Sequence, residues 1–398
     1  MRARRSTAVL LGCASLALSA CAGQIEGQGR PGEAAPTSAA PTTATPTPPP
    51  PVGVGTAVEA HRIAGGTLLI GRVLPDLADN CAPSGPYVDP DETEADAGLF
   101  VPGTAASVLR QYGFVAAWTY CRTDGADRVT TLMVAEMSDP DSAAAAAEAL
   151  MGTLAVARFE PTELADLPDA GALIREQDGA VDLQVVLPVD RMLAYAYHSD
   201  VGAEQARTNV TTVMTAQSDL LNGFQPTPQD RVPGLDPDPF DLERRVLDPP
   251  APLTNLSGSF GLTSYLRVAI SPDTEEQLLA DNNFIGSYLK QSELQGGRSY
   301  QMVVYQFASL PEADAAYQGF KAIEEGEFDN RTTFIVPELP TTPCYYFPLA
   351  EGSDQFYQRC YVRVRGYLAS VDIGGITDPA DTAAIRMLLR EQKTKIND

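Results

Sequence analysis

Two stretches of the chain, 170 residues apart, share one arrangement of apolar and polar positions. In the first half SVLRQYGFVAAWTYC (Ser107–Cys121) leads to RVTTLMVAEM (Arg128–Met137) and then to SDPDSAAAAAEALMGTL (Ser138–Leu154). In the second, QLLADNNFIGSYLKQ (Gln277–Gln291) leads to RSYQMVVYQF (Arg298–Phe307) and ASLPEADAAYQGFKAI (Ala308–Ile323). Each copy predicts a short helix, a strand rich in aromatic and β-branched residues, and a second strand across a glycine-bearing turn. Those turns are Thr123-Asp124-Gly125 and Gln295-Gly296-Gly297. An Asp or Ser start with proline in the first turn then opens an alanine-rich helix.

Later strands repeat as well, VDLQVVLPV and RMLAYAYHS in one half, RCYVRVRG and YLASVDIGG in the other. Each half closes on a helix, Ala203 to Leu221 and Pro379 to Lys393. The expected fold class is α+β: two duplicated β-β-α-β-β-β-α lobes, with antiparallel-rich sheets and helices packed on one face. The lobes span 57–224 and 256–398. Between them, 225–255 is a connector, and the Pro-rich segment that marks it, Phe224 to Pro252, carries eight prolines, a density that opposes regular structure and favours an ordered or semi-rigid link.

The N-terminal pattern is different. Arg2, Arg4 and Arg5 precede an apolar run from Thr7 to Leu18, which is the length of a secretory signal and too short to span a bilayer. Leu18-Ser19-Ala20-Cys21 then resembles a bacterial lipobox. On that reading residues 1–20 form a signal peptide cut between Ala20 and Cys21, Cys13 leaves with it, and the Cys21 thiol carries acyl chains. Residues 21–56 read as a Pro/Thr-rich stalk without aromatic residues, unable to bury enough surface to fold and held extended by its prolines.

Composition narrows the partners. The chain holds 28 basic and 52 acidic residues; loss of the three leader arginines leaves 25 against 52. Such a body repels nucleic acid and anionic lipid headgroups, so the expected partners are the membrane, through the acyl chains, and an unidentified envelope ligand or protein. Four cysteines remain, Cys81, Cys121, Cys344 and Cys360, an even count that suggests two disulfides outside the cytoplasm. Of three possible pairings, Cys81–Cys121 and Cys344–Cys360 are favoured because each lies within one half. No CxxC is present and no histidine lies near, so neither metal nor other cofactor is expected.

No catalytic set is complete. Ser287-Tyr288-Leu289-Lys290 fits SxxK, but its partner motifs are missing and strand alternation would turn Ser287 and Lys290 to opposite faces. The two histidines, His61 near the stalk and His198 at a strand end, have no GxSxG elbow to serve. The acidic run Asp89–Asp96 lacks the glycine and terminal glutamate of a calcium loop and reads as a solvated loop. No phosphate-binding glycine loop is present. Tyr345, Tyr346, Phe347, Phe356, Tyr357 and Tyr361 cluster around the Cys344–Cys360 span. They form either a recognition surface, because tyrosine offers rigid area at small entropic cost, or the filling of their own lobe.

With LSAC, the Thr/Pro stalk, VEAHRIAGGTLLIGRVLPDLADNC, YGFVAAWTYCR and LLNGFQPTP in view, the chain resembles a family of two-lobed lipoproteins of unknown function from mycobacteria and related actinobacteria. The resemblance implies surface attachment at the cell envelope and an α+β body, and it brings no catalytic residues. The pattern from Cys344 to Lys393 is also similar to extracytoplasmic sensor domains of actinobacterial kinases. The sequence therefore points to a lipid-anchored, non-catalytic binding or adaptor protein. The alternatives are an envelope hydrolase or isomerase working through carboxylates, a free-standing sensor-like domain, and a plain structural spacer.

Overall fold

The computed structural model describes residues 53–95, 105–155, 159–177, 179–251, 257–294, 297–328, 330–337, 339–340, 342–349 and 353–397. The residues read as a leader, with Cys13 and Ala20, the expected lipidation residue Cys21 and the part of the span read as stalk before residue 53 lie outside the described residues.

The first half runs α1 (Val54–Gly65), β1 (Asp79–Asn80), β2 (Gly85–Tyr87), α2 (Glu92–Ala95), α3 (Ala105–Gln111), β3 (Ala116–Thr123), β4 (Val129–Glu136), α4 (Pro140–Leu154), β5 (Glu160–Thr162), β6 (Gly171–Gln177), β7 (Ala180–Val189), β8 (Met192–Asp200) and α5 (Ala203–Gly223). The second runs β9 (Gly258–Phe260), α6 (Leu262–Tyr265), α7 (Pro272–Asp281), β10 (Phe284–Leu294), β11 (Arg298–Phe307), α8 (Leu310–Glu327), β12 (Thr332–Ile335), β13 (Pro343–Pro348), β14 (Phe356–Val364), β15 (Tyr367–Ile376) and α9 (Ala383–Asn397). Both sheets are antiparallel, so the α+β class is as expected. Their paths match strand for strand: β3-β4-β8-β7-β6-β5 in one, β10-β11-β15-β14-β13-β12 in the other.

Local chemistry sets these elements. Gly125 takes a left-handed φ of 73° in the β3–β4 turn, where Asp124 accepts from the Ala126 and Arg128 amides. Asp139 caps α4 by accepting from Ser142 N at 2.8 Å, and Pro140 follows in the first turn.

The helices depart from the expected arrangement. They cover both faces of each sheet. In the first lobe α3 and α4 pack on Met133, Leu193 and Tyr195, while α1 and α5 pack on Trp118, Leu132 and Val134. The reason is legible in the burial: β3, β4, β7 and β8 are buried at nearly every position, so both faces require cover. Each lobe also has four strands after its central helix, not three. The added β5 and β12 are short, largely exposed edge strands without an apolar period. Helix α1 begins inside the span read as stalk, and Gly55 lets it approach the connector: a Cβ there would stand 1.9 Å from Val232 O.

The connector is ordered over its described residues 225–251, with buried Val232, Leu242 and Val246. The disulfides pair Cys81 with Cys121 and Cys344 with Cys360. The second staples β13 to β14 at directly paired positions. Arg267 at the lobe junction donates through Nε to Thr67 O at 2.7 Å, and Arg72 reaches Asp273 at 2.8 Å, so the halves share polar contacts as well as one continuous core.

Beneath α1 lies a carboxylate pair. Glu59 accepts from Thr227 N at 2.9 Å and from Arg62, while the fully buried Glu136 meets Arg191 at 2.8 Å. Burial, reinforced by the charge of Glu59 and opposed by Arg191, pushes the Glu136 carboxyl up to about 8. A raised folded-state value means that the stability is fully present below the ordinary carboxyl range and is lost as pH rises through about 8. Glu136→Gln is expected to stabilise the protein at pH above about 8 by on the order of a few kcal/mol and to change little in acid. Denaturant titrations across pH test this; parallel pH profiles for the two proteins would reject it.

Candidate functional site

The second lobe carries a cavity of about 310 Å³, within the size range of small-ligand sites. Its floor is one face of the second sheet. Strand alternation brings Ser287, Leu289 and Gln291 of β10 beside Gln301, Val303 and Tyr305 of β11, then Ser370 and Asp372 of β15 and Tyr357, Arg359 and Tyr361 of β14. Helix α8 covers it with Phe320, Ile323 and Glu324, residues at i, i+3 and i+4 on one helix face. The end of α6 adds Tyr265 and the first turn of α7 adds Glu275. Residues 78–81 and 84–86 of the first lobe, tied to β3 by the Cys81–Cys121 bond, close one side together with Trp118. The cavity therefore borders the lobe junction.

Comparison of the lobes shows why space exists here. In the first sheet the row Met133–Tyr195–Val186 is continuous across β4, β8 and β7, and all three side chains are buried. The matching row of the second sheet is Val303–Ser370–Tyr361. A serine thus stands where the first lobe places a tyrosine. The helices differ in the same way. At an offset of 170 residues, the buried Ala147, Leu150 and Leu154 of α4 answer to Tyr317, Phe320 and Glu324 of α8. A buried charge at the last position must be met by partners, and the sheet supplies them.

Arg359 is that partner. Its Nε and Nη2 bond Asp372 at 2.7 and 3.0 Å, and its Nη1 bonds Glu324. Glu324 also accepts from Tyr361 OH at 2.7 Å and from Tyr345 OH. Burial raises the Glu324 and Asp372 carboxyls, against the pull of Arg359 in both cases. Glu275, only 2% exposed, accepts from Ser271 N at 2.9 Å and Tyr265 OH at 2.7 Å, and burial raises its carboxyl too. Two buried polar atoms on lining residues, Ser287 Oγ and Trp118 Nε1, have no hydrogen-bond partner among the described residues.

The structure divides the aromatic cluster singled out in the sequence. Tyr345, Phe347, Tyr357 and Tyr361 turn inward to the cavity side, whereas Tyr346 and Phe356 are half-buried and meet edge-on at 5.9 Å. Ser287 and Lys290 fall on opposite faces, and Lys290 pairs with Asp248. His198 is not a solvated strand end: it is fully buried, with Nδ1 2.8 Å from Thr130 Oγ1, and burial lowers its basicity. His61 lies in α1 and packs on Phe260 at 4.6 Å. In the acidic run, Asp91 pairs with Arg110 and Glu92 accepts from Val88 N and Asp89 N. Among the described residues no cluster of His, Cys, Asp and Glu could hold a metal, and no helix is long and apolar enough to cross a membrane.

The residues overlooked by sequence reasoning are Glu275, Glu324, Arg359 and Asp372. A signal existed for the last two: each is a charge at an inward position of a strand otherwise alternating toward tyrosine or serine. Arg359→Met leaves two buried carboxylates facing each other and is expected to destabilise the protein by about 3–5 kcal/mol. Urea unfolding measures this, and a loss under about 1 kcal/mol, the scale of an exposed ion pair, would contradict it.

Residues 46–237, just under half of the chain, match the family described as "Domain of unknown function (DUF7373) N-terminal". This meets the sequence-based resemblance at the level of a domain of unknown function. No curated protein matches the chain. Among solved structures it is similar to the extracellular domain of PknH from Mycobacterium tuberculosis, with 11% identity and a TM-score of 0.28 over 40% of this chain and 96% of that one. It is also similar to the di-domain ARO/CYC StfQ of the steffimycin biosynthetic pathway, with 8% identity and a TM-score of 0.15 over 86% and 88% of the two chains. Similarity at this level carries no functional argument.

Proposed function

We propose that this chain is a non-catalytic ligand-binding protein of the cell envelope, anchored through acyl chains on Cys21, with the second-lobe cavity as its binding site. The observation that carries the binding reading is the cavity itself, present in one lobe and filled at the matching row of the other. Its aromatic walls and few convergent polar groups have the composition of a small-molecule site. The unpartnered Ser287 Oγ and Trp118 Nε1 supply two places where a ligand atom would satisfy a buried polar group. The Glu324 and Asp372 carboxylates are saturated by Arg359 and tyrosine hydroxyls, which favours binding over carboxylate catalysis.

The envelope placement is supported by the two disulfides, which persist in oxidising compartments, and by the lipobox-like Leu18–Cys21. The acidic net charge of −24 argues against nucleic acid as a partner. Two acyl chains on one residue would hold the body durably where a single chain binds only marginally.

A neutral fluorescent probe, phenylnaphthylamine, is expected to bind the wild-type body and brighten. Ser370→Phe supplies the bulk that Tyr195 supplies in the first lobe and is expected to weaken that binding by about tenfold or more while retaining the fold. Unchanged probe affinity in a folded Ser370→Phe protein would remove the cavity as the site. For the anchor, Cys21→Ala is expected to move the protein from the membrane fraction to the soluble one; a variant that stays with the membrane would contradict lipidation at Cys21.

A further inference from the structure

The charges around the cavity are unequal, and of its buried carboxylates one has no ion-pair partner among the described residues. Arg359 is enclosed by Asp372 and Glu324, which already outnumber it. Arg267, the other lining guanidinium, donates to the backbone carbonyls of Thr67 and Thr263 at the lobe junction. Glu275 differs. It lines the cavity, is almost fully buried, and receives the Ser271 and Ile270 amides and the Tyr265 phenol; Arg359 acts on it only through space, and among the described residues no basic side chain forms an ion pair with it. A buried carboxylate in that state either holds a proton or awaits a cation.

The surroundings of Glu275 favour a cation. The Tyr265 ring, whose hydroxyl it accepts, stands edge-on to Tyr305 at 5.6 Å, and Tyr305 lies 5.2 Å from Phe320. A carboxylate without an ion-pair partner, bonded to the first of three successive rings, provides both halves of ammonium recognition, charge and π face. Ser287 gives an independent sign of a ligand. Its side chain is fully buried, and β10 alternation places it on the cavity face, directly paired with Tyr305; its hydroxyl has no partner among the described residues. The excess of acid over the whole chain would draw cations toward the site and repel carboxylates and phosphates.

We propose that the cavity takes an apolar organic cation, a protonated or quaternary amine, whose charged nitrogen is received by the Glu275 carboxylate and the neighbouring rings of Tyr265, Tyr305 and Phe320. The assignment rests on the cavity being the binding site. The ligand body lies along the apolar wall of Leu289 and Val303, and its charge neutralises Glu275. Fatty acids and phosphorylated compounds of the same size are excluded by the same carboxylate.

Trp118 is the only tryptophan in the chain and lines the cavity, so its emission reports occupancy directly. The test titrates the full-length protein with phenylpropylamine, phenylpropanol and phenylpropionate, three probes of one shape and different charge. The amine is expected to perturb Trp118 emission and to bind about tenfold or more tightly than the alcohol, with the carboxylate weakest. Glu275→Gln is expected to bring the amine down to the affinity of the alcohol and to leave the alcohol unchanged, with the near-UV circular dichroism preserved. Equal binding of all three probes would overturn the cation assignment and leave the cavity standing. Failure of every probe to perturb Trp118 would overturn both. If Glu275→Gln does not fold, the wild-type series decides on its own, and Tyr305→Leu gives a second reading, expected to weaken the amine more than the alcohol; equal loss for both would count against the cation.

Discussion

Arg359 between Asp372 and Glu324 is the interaction on which the second lobe depends. A helix that carries a glutamate toward a sheet cannot pack there unless the sheet answers with a cation, and Arg359 does so while holding a second carboxylate from the adjacent strand. The three charges, capped by Tyr345 and Tyr361, make one side of the cavity polar, fixed and internally satisfied. The remaining wall is left to Leu289, Val303, Phe320 and the tyrosine rings. An open, shaped space persists because its polar end is bonded to itself and does not draw the apolar walls inward.

The first lobe shows the alternative outcome of the same topology. Its matching row is filled by Met133, Tyr195 and Val186, and its helix carries Ala147, Leu150 and Leu154 where α8 carries Tyr317, Phe320 and Glu324. One lobe is thus a closed body and the other a container. The closed lobe contributes the lid through residues 78–81 and 84–86 and the single tryptophan. Helix α1 and the connector fix the two together through Glu59, Thr227 and Gly55, and Arg267 bonds across the junction. A lid carried by one lobe and a floor carried by the other keep their spacing only if that junction is stiff.

Much of the fold was readable in the residues. The hairpins at Ala116–Glu136 and Phe284–Phe307, the helices opened by proline after them and the closing helix at Ala203 all carry strong local signals in turn chemistry, alternation or proline placement. Helix α1 was missed because Val54 follows directly on the proline-rich span read as stalk, and β5 and β12 because three or four largely exposed residues leave no period to detect. The faces of the sheets were misjudged because strands buried on both sides lose the alternation that would have shown a wet face. The site was least legible. Glu324 lies just past the stretch read as an alanine-rich helix, among Lys321, Glu325 and Glu327, and only its meeting with Arg359 in space reveals it as buried. The aromatic cluster was visible, but its division between an inward and an outward set follows from the β13–β14 register, which the sequence alone does not fix.

The repeated topology supplies its own control. Methyl NMR of the protein, titrated with phenylpropylamine, places the ligand by which lobe responds. Perturbed resonances are expected at Leu289, Val303 and Ile323 of the second lobe, with Met133, Leu150 and Val186 on the corresponding face of the first lobe unmoved. Shifts confined to the first lobe, or spread equally over both, would contradict a binding site built by the Arg359 network.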